Sequence, residues 1–79
     1  MNNKEKYAQV FIDGLKITED KLPGLKYQDV ALWDSVGHMA LAAALEDAFD
    51  IMMETDDIID MSSYEKGMEI LSENYEIEF

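Results

Sequence analysis

The chain has 79 residues, with 18 acidic side chains against 6 basic ones, one His, no Cys and 48% apolar residues. A chain of this length forms one small domain with a single core. Without cysteine it has neither a disulfide framework nor a thiolate metal site, so any thiol chemistry has to arrive on a cofactor.

The net charge of -12 is unevenly placed. Residues 1–33 contain five Lys and five acids, whereas residues 34–79 contain one Lys and thirteen acids. Such a field repels nucleic acid and anionic membranes and speeds encounter with basic protein surfaces, although a solvated acidic face needs no partner at all. The longest apolar run, Met39 to Leu45, is far too short to span a bilayer, and Met1 to Lys6 is polar rather than leader-like. The expectation is a soluble, cytoplasmic protein.

Tyr7, Val10, Phe11 and Leu15 recur at helical spacing and predict a first amphipathic helix over about 4–15, with Gly14 and Ile17 near its end. Residues 16–34, with Pro23, Gly24 and alternating charges, predict a long connection that gives Leu22, Leu25, Tyr27, Val30 and Leu32 to the core. Asp34 suits an N-cap, and helix two then starts at Ser35. Leu41, Leu45 and Phe49 form its core stripe with Ala42 and Ala48 beside them, while Glu46, Asp47 and Asp50 point to water and the helix ends near Asp50 or Ile51. Thr55 caps a short third helix reaching Met61, and Ser62 or Ser63 caps a fourth carrying Tyr64, Met68, Ile70 and Leu71. The tail Tyr75 to Phe79 alternates apolar and acidic residues, which suits a strand if it meets a partner edge and otherwise a frayed end. The prediction is all-α: a single domain over 1–79, built as a four-helix bundle with a long first connection and a short third helix, with 74–79 as a frayed tail.

The segment Trp33-Asp34-Ser35-Val36-Gly37-His38-Met39 puts a serine hydroxyl beside a capping aspartate, just ahead of the apolar stripe. On its own this is an ordinary helix cap. The segment resembles the Asp-Ser-Leu signature of acyl carrier proteins, with Val36 in place of Leu. The resemblance runs without a gap from about Tyr27 to Leu71. It takes in an aromatic before the signature at Tyr27, the stripe Leu41, Leu45 and Phe49, the acidic pair Glu46-Asp47, and apolar positions Ile51, Met53 and Met61. It implies a carrier-type bundle in which Ser35 bears a 4'-phosphopantetheine arm taken from coenzyme A, holding cargo as a thioester. It also implies a phosphopantetheinyl transferase, an acyl- or aminoacyl-loading ligase, and a downstream transferase or synthase as partners. The resemblance implies that the carrier itself is a monomer and no enzyme.

In that reading Asp34 serves as cap and recognition residue, and the amides and dipole at the start of helix two tolerate the arm's phosphodiester. Val36, Met39, Glu46, Asp47, Met53 and Asp56 are the expected partner contacts, with acids steering and apolar groups adhering. Gly37, His38 and Ala40 depart from the acidic and small polar residues of fatty-acid carriers. The wording looks more like stand-alone carriers of specialised pathways, including those near sugar or polysaccharide biosynthesis.

His38 lies three residues after Ser35 and so near the same helix face, but a serine and base pair also needs an oriented base, an oxyanion site and a pocket. A surface or interfacial role is expected for it, and a hydrolase is not. Asp56, Asp57 and Asp60 lack the alternate spacing, central Gly and terminal Glu of a calcium loop, so no metal site is expected. Ala42, Ala43 and Ala44 suit either room for an acyl chain or close helix packing. The alternative function is an unmodified acidic interaction module with the carrier fold.

Overall fold

Asn2 starts the first helix: its side chain accepts from the Glu5 amide at 2.8 Å while the Glu5 carboxylate accepts from the Asn2 amide at 3.2 Å, a reciprocal capping box. The computed structural model describes residues 2–79. Helix α1 (Asn3–Leu15) is followed by a single 3₁₀ turn (Glu19–Lys21), then α2 (Ser35–Phe49), α3 (Thr55–Asp60) and α4 (Tyr64–Asn74). Among the described residues the fold is therefore all-helical, with four α-helices, and the only strand-like feature is an isolated bridge between Lys26 and Ser63.

The apolar stripes dictate the packing. Tyr7, Phe11 and Leu15 on α1 meet Leu41 and Leu45 on α2, and Met61, Ile70 and Leu71 close the core from the α4 side. Aromatic groups make its centre: Tyr7 lies 4.9 Å from Phe11 and 5.0 Å from Tyr64, and Phe11 sits edge-on to Trp33 at 5.5 Å. The buried Tyr7 hydroxyl donates to the Tyr64 carbonyl at 2.7 Å, and burial raises its pKa strongly. That reach needs Gly67, where a Cβ would overlap the Tyr7 hydroxyl.

The connection between α1 and α2 is tied down, as expected of a loop with so many apolar residues. Leu22 and Leu25 are buried, and Tyr27 and Val30 are partly so. Leu32 departs from expectation: it is 44% exposed, because the turn that brings Trp33 inwards, closed by the Trp33 amide on the Val30 carbonyl, sends Leu32 out. Trp33, which the apolar periodicity did not single out, is the largest fully buried side chain.

Two further expectations are corrected at the helix ends. Thr55 is the first residue of α3 rather than its cap; Glu54 occupies the capping position in extended backbone without a side-chain bond. The tail is not frayed in this structure. The Tyr75 hydroxyl donates to Asp57 at 2.7 Å and accepts from the Glu54 amide at 2.6 Å, and the Ile77 amide bonds the Leu71 carbonyl. Phe79 packs on Tyr7 and Phe49. No described helix is long and apolar enough to cross a membrane.

Candidate functional site

Asp34 and Ser35 stand where the sequence puts them. The Asp34 backbone is extended and its carboxylate accepts from the Gly37 amide at 2.8 Å, which starts α2 at Ser35. Ser35 is exposed, and its Oγ lies 3.2 Å from the Tyr27 hydroxyl. Gly37 has a local reason that owes nothing to partners: the Leu32 carbonyl crosses the first turn of α2 so closely that a Cβ at residue 37 would overlap it.

His38 is corrected from a surface position to a half-buried structural one. The Trp33 indole N–H donates to Nδ1 at 2.9 Å, which fixes the neutral tautomer with the proton on Nε2. Nε2–H then donates to the Ile58 carbonyl at 2.7 Å. The imidazole lies edge to edge with the Trp33 ring and nearly in its plane, centroids 6.2 Å apart and planes 13° apart, as the hydrogen bond from the indole requires, and Tyr27 meets it edge-on at 5.4 Å. One side chain thus links the loop, α2 and α3. Both ring nitrogens are engaged, and the hydroxyl beside Ser35 belongs to Tyr27.

The expected contact residues divide into two groups. Val36 is 79% and Met39 58% exposed, three residues apart on one face of α2, and Asp47 and Asp56 are exposed. Exposed Ile59 follows Ile58, the residue that His38 holds. Met53 is buried at 7% exposure and belongs to the core; its neighbour Met52, at 87%, takes the outward position instead. Glu46 turns inwards: its carboxylate accepts from the Met53 amide at 2.8 Å and ties down the chain after α2. Met53 is therefore corrected from a contact to a core position, because the loop after α2 folds back over that helix, and Glu46 braces that loop.

Along the sequence on either side of Ser35 the charge is one-sided. The stretch 27–65 contains no Lys or Arg, and the one ion pair among the described residues, Lys66 with Glu69 at 3.6 Å, lies on α4. No three His, Cys, Asp or Glu side chains among the described residues converge into a metal-holding group. An open groove of about 510 Å³ lies elsewhere, between α1 and the start of α4, over Ala8, Ile12, Leu22 and Met68. Of the three alanines, Ala42 is buried, Ala43 exposed and Ala44 half-buried against the α1 side.

At the start of α2 the Ser35 hydroxyl is open to solvent, with the Tyr27 hydroxyl beside it. Sequence reasoning missed Tyr27 as a partner of Ser35 and Trp33 as the partner of His38. The signal was present only as three ring-bearing residues close to the serine. Comparison of the chain with known protein families, with characterised proteins and with solved structures gives no match.

Proposed function

We propose that this chain is a stand-alone acyl or aminoacyl carrier. Ser35 bears a 4'-phosphopantetheine arm, and the chain catalyses nothing by itself. The observation that carries the reading is the exposed Ser35 hydroxyl at the first turn of α2, directly after its capping aspartate and beside the outward apolar pair Val36 and Met39. A modifying enzyme has to reach that oxygen without unfolding the domain, and nothing of the core covers it.

Loading joins Ser35 Oγ to the phosphorus of coenzyme A next to the pantetheine. The bond from that phosphorus to the adenosine 3',5'-bisphosphate oxygen breaks, and the serine proton passes to the transferase. The arm supplies a thiol that this chain lacks, and a thioester on it presents a more reactive carbonyl than an ester would. Its length and flexibility raise the cargo's effective concentration at successive active sites.

The residues around Ser35 do the recognition. Asp34 orients the helix start. Val36, Met39 and Ile59 offer exposed apolar contact, and Asp47 and Asp56 contribute to an acidic surface that steers basic partners. Small, screened interfaces of this kind release quickly, which a carrier visiting several enzymes requires.

The absence of cysteine supplies a direct test. After incubation with coenzyme A, magnesium and a broad-specificity phosphopantetheinyl transferase, followed by desalting, thiol titration should find one thiol per chain and none in Ser35→Ala. A folded wild-type protein that acquires no thiol refutes the carrier function and leaves the unmodified acidic interaction module as the reading.

A further inference from the structure

Attachment of a phosphodiester to Ser35 poses an electrostatic problem at the site. The neighbouring Asp34 carboxylate is negative, and no Lys or Arg lies anywhere from 27 to 65. The amides that a helix start usually offers to an anion are partly occupied: that of Gly37 bonds the Asp34 carboxylate at 2.8 Å, and that of His38 bonds the Asp34 carbonyl at 2.8 Å. His38 has no ring nitrogen to spare, since one accepts from Trp33 and the other donates to Ile58. No side chain in the first turn of α2 is free to donate to the phosphate, so a fixed side-chain donor has to come from outside the helix.

Tyr27 is placed to supply one. Its amide donates to the Ser62 carbonyl at 2.9 Å, which anchors the backbone at the junction of α3 and α4. Its ring stands edge-on to Trp33 at 6.2 Å and 81°, and to His38 at 5.4 Å and 69°. Those neighbours are themselves bonded to each other, so the ring is braced on two sides and the hydroxyl is held 3.2 Å from Ser35 Oγ. A braced ring loses less freedom on making a hydrogen bond than a mobile side chain does.

Esterification changes what that hydroxyl can bond. Ser35 Oγ loses its proton and becomes the bridging oxygen of an ester, which donates nothing and accepts poorly. The nearest strong acceptors are then the non-bridging oxygens on the same phosphorus, and a hydrogen bond to an anionic oxygen is roughly twice as strong as a neutral one. We propose that Tyr27 is the phosphate-positioning residue of this carrier: its hydroxyl bonds Ser35 Oγ before modification and donates to the phosphodiester afterwards. The inference rests on the carrier reading of Ser35 and adds to it the residue that holds the root of the arm. Through Trp33, His38 and Ile58 that root is mechanically joined to α3.

The test compares wild-type protein with Tyr27→Phe, which keeps the ring and deletes only the hydroxyl. Both are loaded to completion with coenzyme A, magnesium and a broad-specificity transferase, and completion is read by intact mass. The ³¹P resonance of the phosphodiester is then recorded for each, folded and in urea. The wild-type resonance should be displaced from its unfolded position, and in Tyr27→Phe it should move back towards that position while Trp33 fluorescence stays unchanged. Identical ³¹P positions in the two folded proteins overturn the inference and leave the carrier reading standing. If neither protein takes the arm, the carrier reading falls and the inference with it. Should Tyr27→Phe fail to fold, the Tyr27 ¹³Cζ resonance of the wild type decides: movement on loading supports the role, and a fixed position overturns it.

Discussion

Removing the His38 imidazole tests whether this one side chain locks the loop, α2 and α3 together. His38→Ala deletes two hydrogen bonds, at 2.9 Å from the Trp33 indole and 2.7 Å to the Ile58 carbonyl, each with a net worth of about 1 kcal/mol. It also leaves the N–H of a side chain with no solvent exposure unpaired, a cost of roughly 1–3 kcal/mol that a water entering the vacated space would reduce. The expected loss is about 3 kcal/mol. For a domain of this size the whole folding stability is on the order of 4–12 kcal/mol, so this one change removes a large share of it. Urea unfolding followed by far-ultraviolet circular dichroism gives the value, and the near-ultraviolet signal of Trp33 should weaken. A cycle with Trp33→Phe, which removes the donor, should show a coupling of at least about 1 kcal/mol, since the double variant no longer strands the indole N–H. A loss below roughly 1 kcal/mol for His38→Ala, or no coupling, would refute the latch; the first threshold is the value of one ordinary hydrogen bond.

Other consequences follow from the same contacts. Gly37→Ala puts a methyl group into the Leu32 carbonyl, so it should destabilise by about 2 kcal/mol or more and displace the loop, read as a lower urea midpoint and altered Trp33 fluorescence. In alkali the burial of Tyr7 sets the sign: its folded pKa lies above the unfolded value of about 10, so stability is full below that pH and falls as pH rises past it, because the unfolded state releases the proton first. Urea midpoints measured across that range should decrease, and less so in Tyr7→Phe; a flat profile contradicts the burial argument. The acidic half of the chain should make loading by a transferase with a basic surface slower at high salt, and an unchanged second-order rate would remove its steering role.

Much of this architecture was legible because local signals agreed. Asp34 ahead of the stripe Leu41, Leu45 and Phe49 marks both where α2 starts and which face it buries, and Ser63 marks α4 by accepting from the Lys66 amide. The first helix is legible from Tyr7, Phe11 and Leu15, but apolar spacing alone does not mark its start at Asn3, which the Asn2 and Glu5 capping box sets one residue earlier than the spacing suggests. The αL residues that end α1 and α2 are Lys16 and Asp50 rather than Gly, and neither announces the turn it makes.

What escaped depends on contacts distant in sequence. The inward turn of Glu46 requires the Met53 amide, and the docking of the tail requires Asp57 and Tyr7. The role of His38 depends on where α3 lies, since its Nε2 partner is twenty residues away. A period of two in Tyr75 to Phe79 suggested a strand or a free end. The tail instead uses its aromatic residues as separate anchors on α1, α2 and α3. Around Ser35 the serine and its cap were readable and their aromatic support was not, because periodicity carries no information about a loop tyrosine and a helix serine meeting across a turn.

Everything proposed for this carrier depends on Ser35 accepting a phosphopantetheine arm. Intact mass before and after incubation with coenzyme A, magnesium and a broad-specificity transferase tests it most directly, with Ser35→Ala alongside. One added phosphopantetheine is expected on the wild type and none on the variant; an unchanged wild-type mass in a folded protein, or the same addition on both, would show that Ser35 bears no arm.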